Sequence, residues 1–255
     1  INYEFFINKF EKDRAIPNTL LFGNRVTFTP NDTLKVSLIR LAQFGGKNRP
    51  KDPSTILKML VGNNENSLSF DEQPGNQLAG IDFIYNPKFN KNLKIYGQTI
   101  GEDEAGYFPS RKMSLFGFSY YLNNPNPTKF SIDYIDTFSG VKNFSYNHFL
   151  YKSGLRYYGK PIGASIDADS GALKLKVTKK FNDLNFEFSF SDIHLNKNNS
   201  LLNYWTNEAV AFNQLDLLIK YKYQKSYIDL IYTYRDQTFS DFSKTNLFLN
   251  LYFKL

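Results

Sequence analysis

The chain contains no cysteine, which excludes disulfide frameworks, thiolate metal centres and cysteine nucleophiles. It has no apolar run near the ~18 residues that a spanning helix needs. It has only two histidines, His148 and His194. They are expected in different long connections, and neither sits in a nucleophile pattern. A Ser–His esterase or phospholipase therefore lacks its parts. The opening INYEFFINKF has neither the basic start nor the small-residue cleavage site of a signal peptide, so any export signal is expected to lie outside this sequence. Tryptophan is nearly absent too, with a single residue, but there are 25 phenylalanines and 18 tyrosines. So many rings at a mean hydropathy of −0.43 fit many short, half-apolar strands better than one compact core. The net charge of +7 favours acidic partners without naming one.

Alternation with a period of two dominates the second half. In ALKLKVTKK, Leu173, Leu175 and Val177 share one side, and Lys174, Lys176 and Thr178 the other. Phe186, Phe188 and Phe190 oppose Glu187, Ser189 and Ser191. Leu215, Leu217, Ile219 and Tyr221 oppose Asp216, Lys220 and Lys222, and the final segment repeats the device with Leu247, Leu249, Leu251 and Phe253. Strands are expected near 1–7, 20–29, 33–42, 78–86, 92–100, 113–122, 128–138, 171–180, 184–193, 210–223, 226–236 and 245–255. Their connections alternate: PND, NPKFN, NNPNP, ND and QK are brief and carry turn residues, while the others, such as 43–77, 139–170 and 194–209, are long.

A soluble sandwich has no reason to keep its long connections at one end. A transmembrane β-barrel does, with strands of ~10 residues, apolar side chains toward lipid and polar ones toward the lumen. Only a closed sheet satisfies every backbone polar group in lipid. The expected fold is therefore all-β, an antiparallel transmembrane β-barrel of the outer-membrane type, with residues 1–255 forming a single domain. Tyr120, Tyr121, Tyr221 and Tyr223 are placed for an interface girdle. Ile39 and Leu41 interrupt the alternation, which predicts a bulge there or a covered inner face. Residues 53–62 suit one short helical piece.

Three constellations stand in the long connections. GEDEAG places Glu102, Asp103 and Glu104 at the outer rim, with Gln98 on the strand leading in. Its readings are a hydrogen-bonded rim, a glycan-contacting lip, a solvated loop or a metal cage, although the spaced ladder of a calcium loop is missing. AQFGGKNRP offers Lys47 and Arg49 after two glycines that permit close backbone approach. YKSGLRYYGKPIGASIDADSG interleaves Tyr151, Tyr157 and Tyr158 with Lys152, Arg156 and Lys160, then adds Asp167 and Asp169. Rings beside cationic donors suit an anionic sugar chain, by stacking and by pairing with carboxylates. Base stacking uses the same chemistry, but an outer-surface loop is a poor place for nucleic acid. The mixed charges of EKDRAIP read as solvated.

Five ordered blocks, EKDRAIPNTLLFGNRVTFTP, LIRLAQFGGKNRP, PGNQLAGIDF, YGQTIGEDEAGYFPS and YYGKPIGASIDADS, together resemble the Wzi family of capsule assembly proteins. The resemblance implies a non-enzymatic, monomeric lectin of the cell outer membrane that binds capsular polysaccharide, expected here to be acidic, and supports its surface attachment. It implies no cofactor and no metal. It also implies a barrel of about eighteen strands with periplasmic helices before it, of which about a dozen strands are expected here. On this view the chain lacks the N-terminal strands and helices of a whole member. Phe44 stands where the family often has Trp before the paired glycines. The alternative is a porin or specific channel for anionic solutes or oligosaccharides, lined by Lys174, Lys176, Lys220, Lys222 and Arg235.

Overall fold

The structure is a computed structural model. It describes residues 1–54, 57, 75–102, 104–105, 108–109, 111–123, 125–223, 226–239 and 242–252, with backbone alone at 102, 104–105 and 108–109. Twelve strands form one sheet: β1 (Asn2–Lys9), β2 (Leu20–Asn31), β3 (Leu34–Phe44), β4 (Gly75–Tyr85), β5 (Leu93–Glu102), β8 (Lys112–Leu122), β9 (Thr128–Asp136), β12 (Gly171–Phe181), β13 (Leu184–Leu195), β14 (Val210–Tyr223), β15 (Ser226–Arg235) and β16 (Thr245–Tyr252). Two tiny hairpins complete the set: β6 (Glu104–Ala105) with β7 (Phe108–Pro109), and β10 (Arg156–Tyr157) with β11 (Lys160–Pro161). Every strand of the large sheet pairs antiparallel with its neighbours in sequence. The order is that of a barrel wall. Among the described residues, β1 and β16 are each paired on one side only.

Register makes the two faces explicit. Ile95, Phe118, Ile132, Leu175, Phe190, Leu215 and Tyr234 stand in one row across seven strands. The row beside it, pointing the other way, is Lys94, Ser119, Ser131, Lys176, Ser189, Asp216 and Thr233. The side-chain period of two therefore sorts the sheet into an apolar and a polar face, the pattern of a lipid-facing wall. The apolar face is exposed along its length, for example at Leu38, Phe116, Phe188 and Leu249. Tyr120, Tyr221 and Tyr223 join it near the short turns, by register. Tyr121 departs from the expected girdle. It pairs with Lys129 and carries that ammonium 5.5 Å from its ring, on the polar face.

Four residues farther along each strand the polar face changes character. Leu115, Ile135, Ala172, Ile193 and Phe212 form an apolar row next to Gln98. Ile39 and Leu41 extend this band on β3, and the residues of the long connection 137–170 pack over it. Leu78, Met113, Tyr146, Leu155 and Ala168 share one buried cluster with Phe10 and Leu21, against which Leu41 packs. So the interrupted alternation at Ile39 and Leu41 marks a covered inner face. The register shift of β2 and β3 falls elsewhere, between Phe28 and Asn31. Of the expected helical piece, Pro53, Ser54 and Leu57 are helical, and the rest lies outside the described residues.

Candidate functional site: a loop cap over the inner face

Three long connections, 10–19, 137–170 and 196–209, meet above the apolar band. Irregular backbone must satisfy its polar groups without a ladder, and here side chains do it. Asn196 Nδ2 donates to the carbonyls of Ser200 (2.9 Å) and Thr206 (2.8 Å). Asn203 Nδ2 donates to Ala168 O at 2.7 Å, and Trp205 Nε1 to Ser165 O at 2.6 Å. Thr137 Oγ1 donates to Asp167 O at 2.5 Å and accepts from Ser170 N at 3.0 Å. Asp167 and Asp169 take positive φ (58° and 54°), a conformation that Asp tolerates better than most residues.

Arg156 and Asp167 form the centre. Arg156 Nη2 lies 2.9 Å from both Asp167 carboxylate oxygens, and Nε donates to Oδ2 at 3.3 Å. Nη1 reaches Asn147 Oδ1 at 2.7 Å, and Nη2 also meets Leu202 O at 3.0 Å. Asp167 Oδ2 accepts Tyr204 N at 2.6 Å as well. Asp167 is fully buried and Arg156 nearly so; the pair itself lies within 137–170, and its bonds to Leu202 O and Tyr204 N tie that connection to 196–209. Arg14 ties in the first connection: it donates to Gly154 O at 2.8 Å and Arg156 O at 3.3 Å, with Glu11 at 3.6 Å and the Phe10 ring 4.0 Å away. The Glu11 and Arg14 side chains are almost wholly buried, contrary to the solvated reading of EKDRAIP. Gly154 sits at φ +64°, where a Cβ would come 2.1 Å from Tyr146 O and 2.7 Å from Arg156 Nη1. Only glycine fits there.

The remaining candidates divide by exposure. Tyr157 and Tyr158 are open to solvent (46% and 66%), with ring centroids 4.7 Å apart in an edge-on pair. Lys160, paired with Tyr157 across the β10–β11 hairpin, is exposed beside them. Tyr204 comes within 3.7 Å of where a Gly159 Cβ would stand, and is itself 40% exposed. Sequence reasoning missed Tyr204, because its link to the hairpin runs only through the folded loops. Its partner Trp205, 4.7 Å ring to ring, was the available signal.

Lys47 is exposed, and Arg49 lies beside Tyr151 and His148. The glycines before them meet two different connections: a Cβ on Gly46 would come 3.0 Å from Pro17 O, which also accepts Lys47 N at 3.0 Å, while Gly45 O accepts Tyr151 Oη at 3.2 Å. Gln98 lies on the inner face at the edge of the cap. Asp169 is buried, and its Oδ2 accepts Asn143 N at 2.9 Å. Its Oδ1 has no hydrogen-bond partner among the described residues, and burial pushes its carboxyl above the usual range. The side chains of Glu102 and Glu104, and all of Asp103, lie outside the described residues. Of Arg49 and Arg156, the two cations from which the sequence leads one to expect pairing with these carboxylates, Arg156 is committed to Asp167.

His148 offers no base. Its Nδ1 accepts the amides of Leu150 (3.2 Å) and Tyr151 (3.4 Å), and its ring lies 4.5 Å from that of Phe149. Burial, with Arg49 nearby, holds its imidazole down to about 4. Ser145 Oγ donates to Thr137 O, and Ser153 Oγ accepts Ala15 N. His194 closes β13 beside Asp192 at 3.2 Å. Among the described residues no three His, Cys, Asp or Glu side chains cluster to hold a metal ion.

A sequential antiparallel sheet, apolar on one face and capped by loops on the other, has the pattern of the wall of an outer-membrane β-barrel. The profile of the capsule assembly protein Wzi matches residues 1–246, and the chain belongs to that family. An uncharacterised 55.8 kDa protein in the cps region of Klebsiella pneumoniae is 37% identical over 117 residues, 45% of this chain and 23% of that protein. A solved structure of Wzi from Escherichia coli is described as an outer-membrane protein involved in group 1 capsule assembly and as a carbohydrate-binding β-barrel. It superposes with a TM-score of 0.85 at 26% identity, over 99% of this chain and 56% of that one. The chain thus spans about half the length of the solved relative, and its match covers about a quarter of the curated one.

Proposed function

We propose that this chain is the loop-bearing part of an outer-membrane lectin that binds capsular polysaccharide and supports its attachment to the cell surface. The observation that carries the reading is the exposed edge of Tyr157, Tyr158 and Tyr204 with Lys160, held rigidly by a buried ion pair. Aromatic faces stack on the C–H faces of sugars, and an exposed ammonium attracts a sugar carboxylate. Lys47 and Arg49 stay as candidate glycan contacts on their own loop. Arg156, expected from sequence as a contact, is assigned instead to positioning, because its guanidinium is buried and saturated. Asp167 and Asp169 belong with it. Gln98 and the GEDE rim stay as candidate structural or glycan contacts. The protein is proposed to act as a monomer without cofactor, in contact with outer-membrane lipid, with its barrel completed by strands beyond the twelve seen here.

The channel reading has less support. Lys176 lies 3.5 Å from Glu187, Lys220 is 3.4 Å from Asp229, and Arg235 Nε donates to Gln214 Oε1 at 2.8 Å. Three of the five cations named for the channel are thus paired or engaged within the wall; among the described residues, Lys174 and Lys222 are the two for which no such pairing counts against it.

The test is binding of purified capsular polysaccharide to the full-length protein in detergent. Tyr157→Ala with Tyr158→Ala should weaken binding to acidic and neutral glycans alike. Lys160→Ala should weaken only the acidic ones and remove part of the salt dependence. Binding indifferent to all three changes would overturn the assignment.

A further inference from the structure

Beneath the cap is a cavity of about 440 Å³, bounded on the wall side by residues such as Leu41, Ile100 and Met113 and on the cap side by Leu155, Ile162 and Ala164. Its volume falls within the ~300–1,000 Å³ usual for small-molecule sites. Protein interiors tolerate few voids larger than a water molecule, and an apolar lining gives water too few partners to hold it. Two polar residues at the margin are already engaged. Asp136 accepts Phe138 N at 3.0 Å and Lys197 Nζ at 3.4 Å, and Thr137 is bonded to Asp167 and Ser170. Sugar hydroxyls placed here would lose their hydrogen bonds, so the glycan does not pass this way. What suits the space is a flexible, unbranched hydrocarbon with at most one polar end. Such molecules are at hand, since the other face of the same wall is built for lipid.

We propose that this cavity is a binding site for a single acyl chain, with Gln98 at its margin supplying an amide for a carboxyl or ester oxygen. The chain fills space that the small side chain of Ala164 leaves open on the cap side, and so wedges cap against wall. The proposal rests on the membrane setting and not on glycan binding, so the two can fail separately.

The experiment uses full-length protein in outer membranes and palmitic acid carrying a mid-chain diazirine. After illumination, peptides containing Met113 or residues 155–164 should be labelled, together with lipid-facing positions such as Leu38 and Phe116. Excess unlabelled palmitic acid should remove the first set and leave the second. Ala164→Trp should fill the space and reduce the inner label at least tenfold, with the outer label and polysaccharide binding unchanged. Leu41→Phe fills the cavity from the opposite side should the first variant fail to assemble. Label confined to the lipid-facing positions, or inner label indifferent to competitor and to both filling variants, overturns the proposal.

Discussion

The wall and the cap satisfy the same physical demand by opposite means. In the wall, backbone amides and carbonyls pair with each other, strand after neighbouring strand, and the side chains need only alternate. In the cap almost no ladder exists, and side chains stand in for backbone partners: Asp167 accepts the Tyr204 amide, while Asn196 and Asn203 donate to the carbonyls of Ser200 and Ala168. The wall is therefore repetitive and tolerant of substitution. The cap is singular, and a few atoms decide it.

The largest expected effect is all-or-none and tests the orientation of the two regions. A cysteine at Ser165, in the cap, should react with an impermeant reagent on whole cells, and one at Asn182, in a short turn, should not. Equal labelling would contradict the arrangement. Next is Asp167→Ala, which leaves the Arg156 guanidinium buried without its carboxylate, a loss of about 3–5 kcal/mol. Residues 137–170 should become sensitive to protease while the wall keeps its heat-modifiable migration. Loss of both together would mean that cap and wall are one cooperative unit.

Acid should open the cap by a smaller amount. His148 is held down to about 4 in the folded cap against an ordinary 6.5, so the closed form binds fewer protons than the open one between those values. Its stabilising contribution is present above pH ~6.5 and declines by about 3 kcal/mol as pH falls toward 4. The raised Asp169 carboxyl acts in the other direction, favouring the closed form as it protonates. Hydrogen exchange of cap amides across this range should show the loss, and His148→Asn, which keeps an acceptor without titrating there, should flatten it. Tyr157→Ala is expected to cost about 1 kcal/mol, or roughly fivefold in glycan affinity, with no change in the wall. Smallest of all, Lys220→Ala in the wall should shift stability by ~0–1 kcal/mol, measured by urea unfolding in detergent.

Much of the wall was legible, because a period of two and turn residues at alternate connections are local signals. All twelve strands lie within about three residues of their expected bounds. The covering of the inner face was legible as one of two readings, with a bulge as the other, in the apolar Ile39 and Leu41 where polar residues were due. The cap was not. Arg156 reads in sequence as an accessible cation among tyrosines. Its burial depends on Leu202, 46 residues away, and on Arg14 reaching its carbonyl from 142 residues away. Tyr204 was overlooked for the same reason. Side-chain hydrogen bonding between loops follows no period, so residue types announce the chemistry available there and not the pairs that form.

Those separations carry a consequence for how the protein assembles. Each strand of the wall meets the one just before it, so hairpins can add in order and each addition closes only the connection between neighbours. The locks of the cap join residues 106, 111 and 142 positions apart: Tyr151 with Gly45, Gln43 with Gly154, and Arg14 with Arg156. Such contacts repay their closure entropy only once the intervening strands are in place. The cap is therefore the last part to settle, and an exposed edge of Tyr157, Tyr158 and Lys160 in its final geometry reports a wall already built from β1 to β12. Under the proposed function, the polymer meets its contact edge only once the strands beneath that edge are in place.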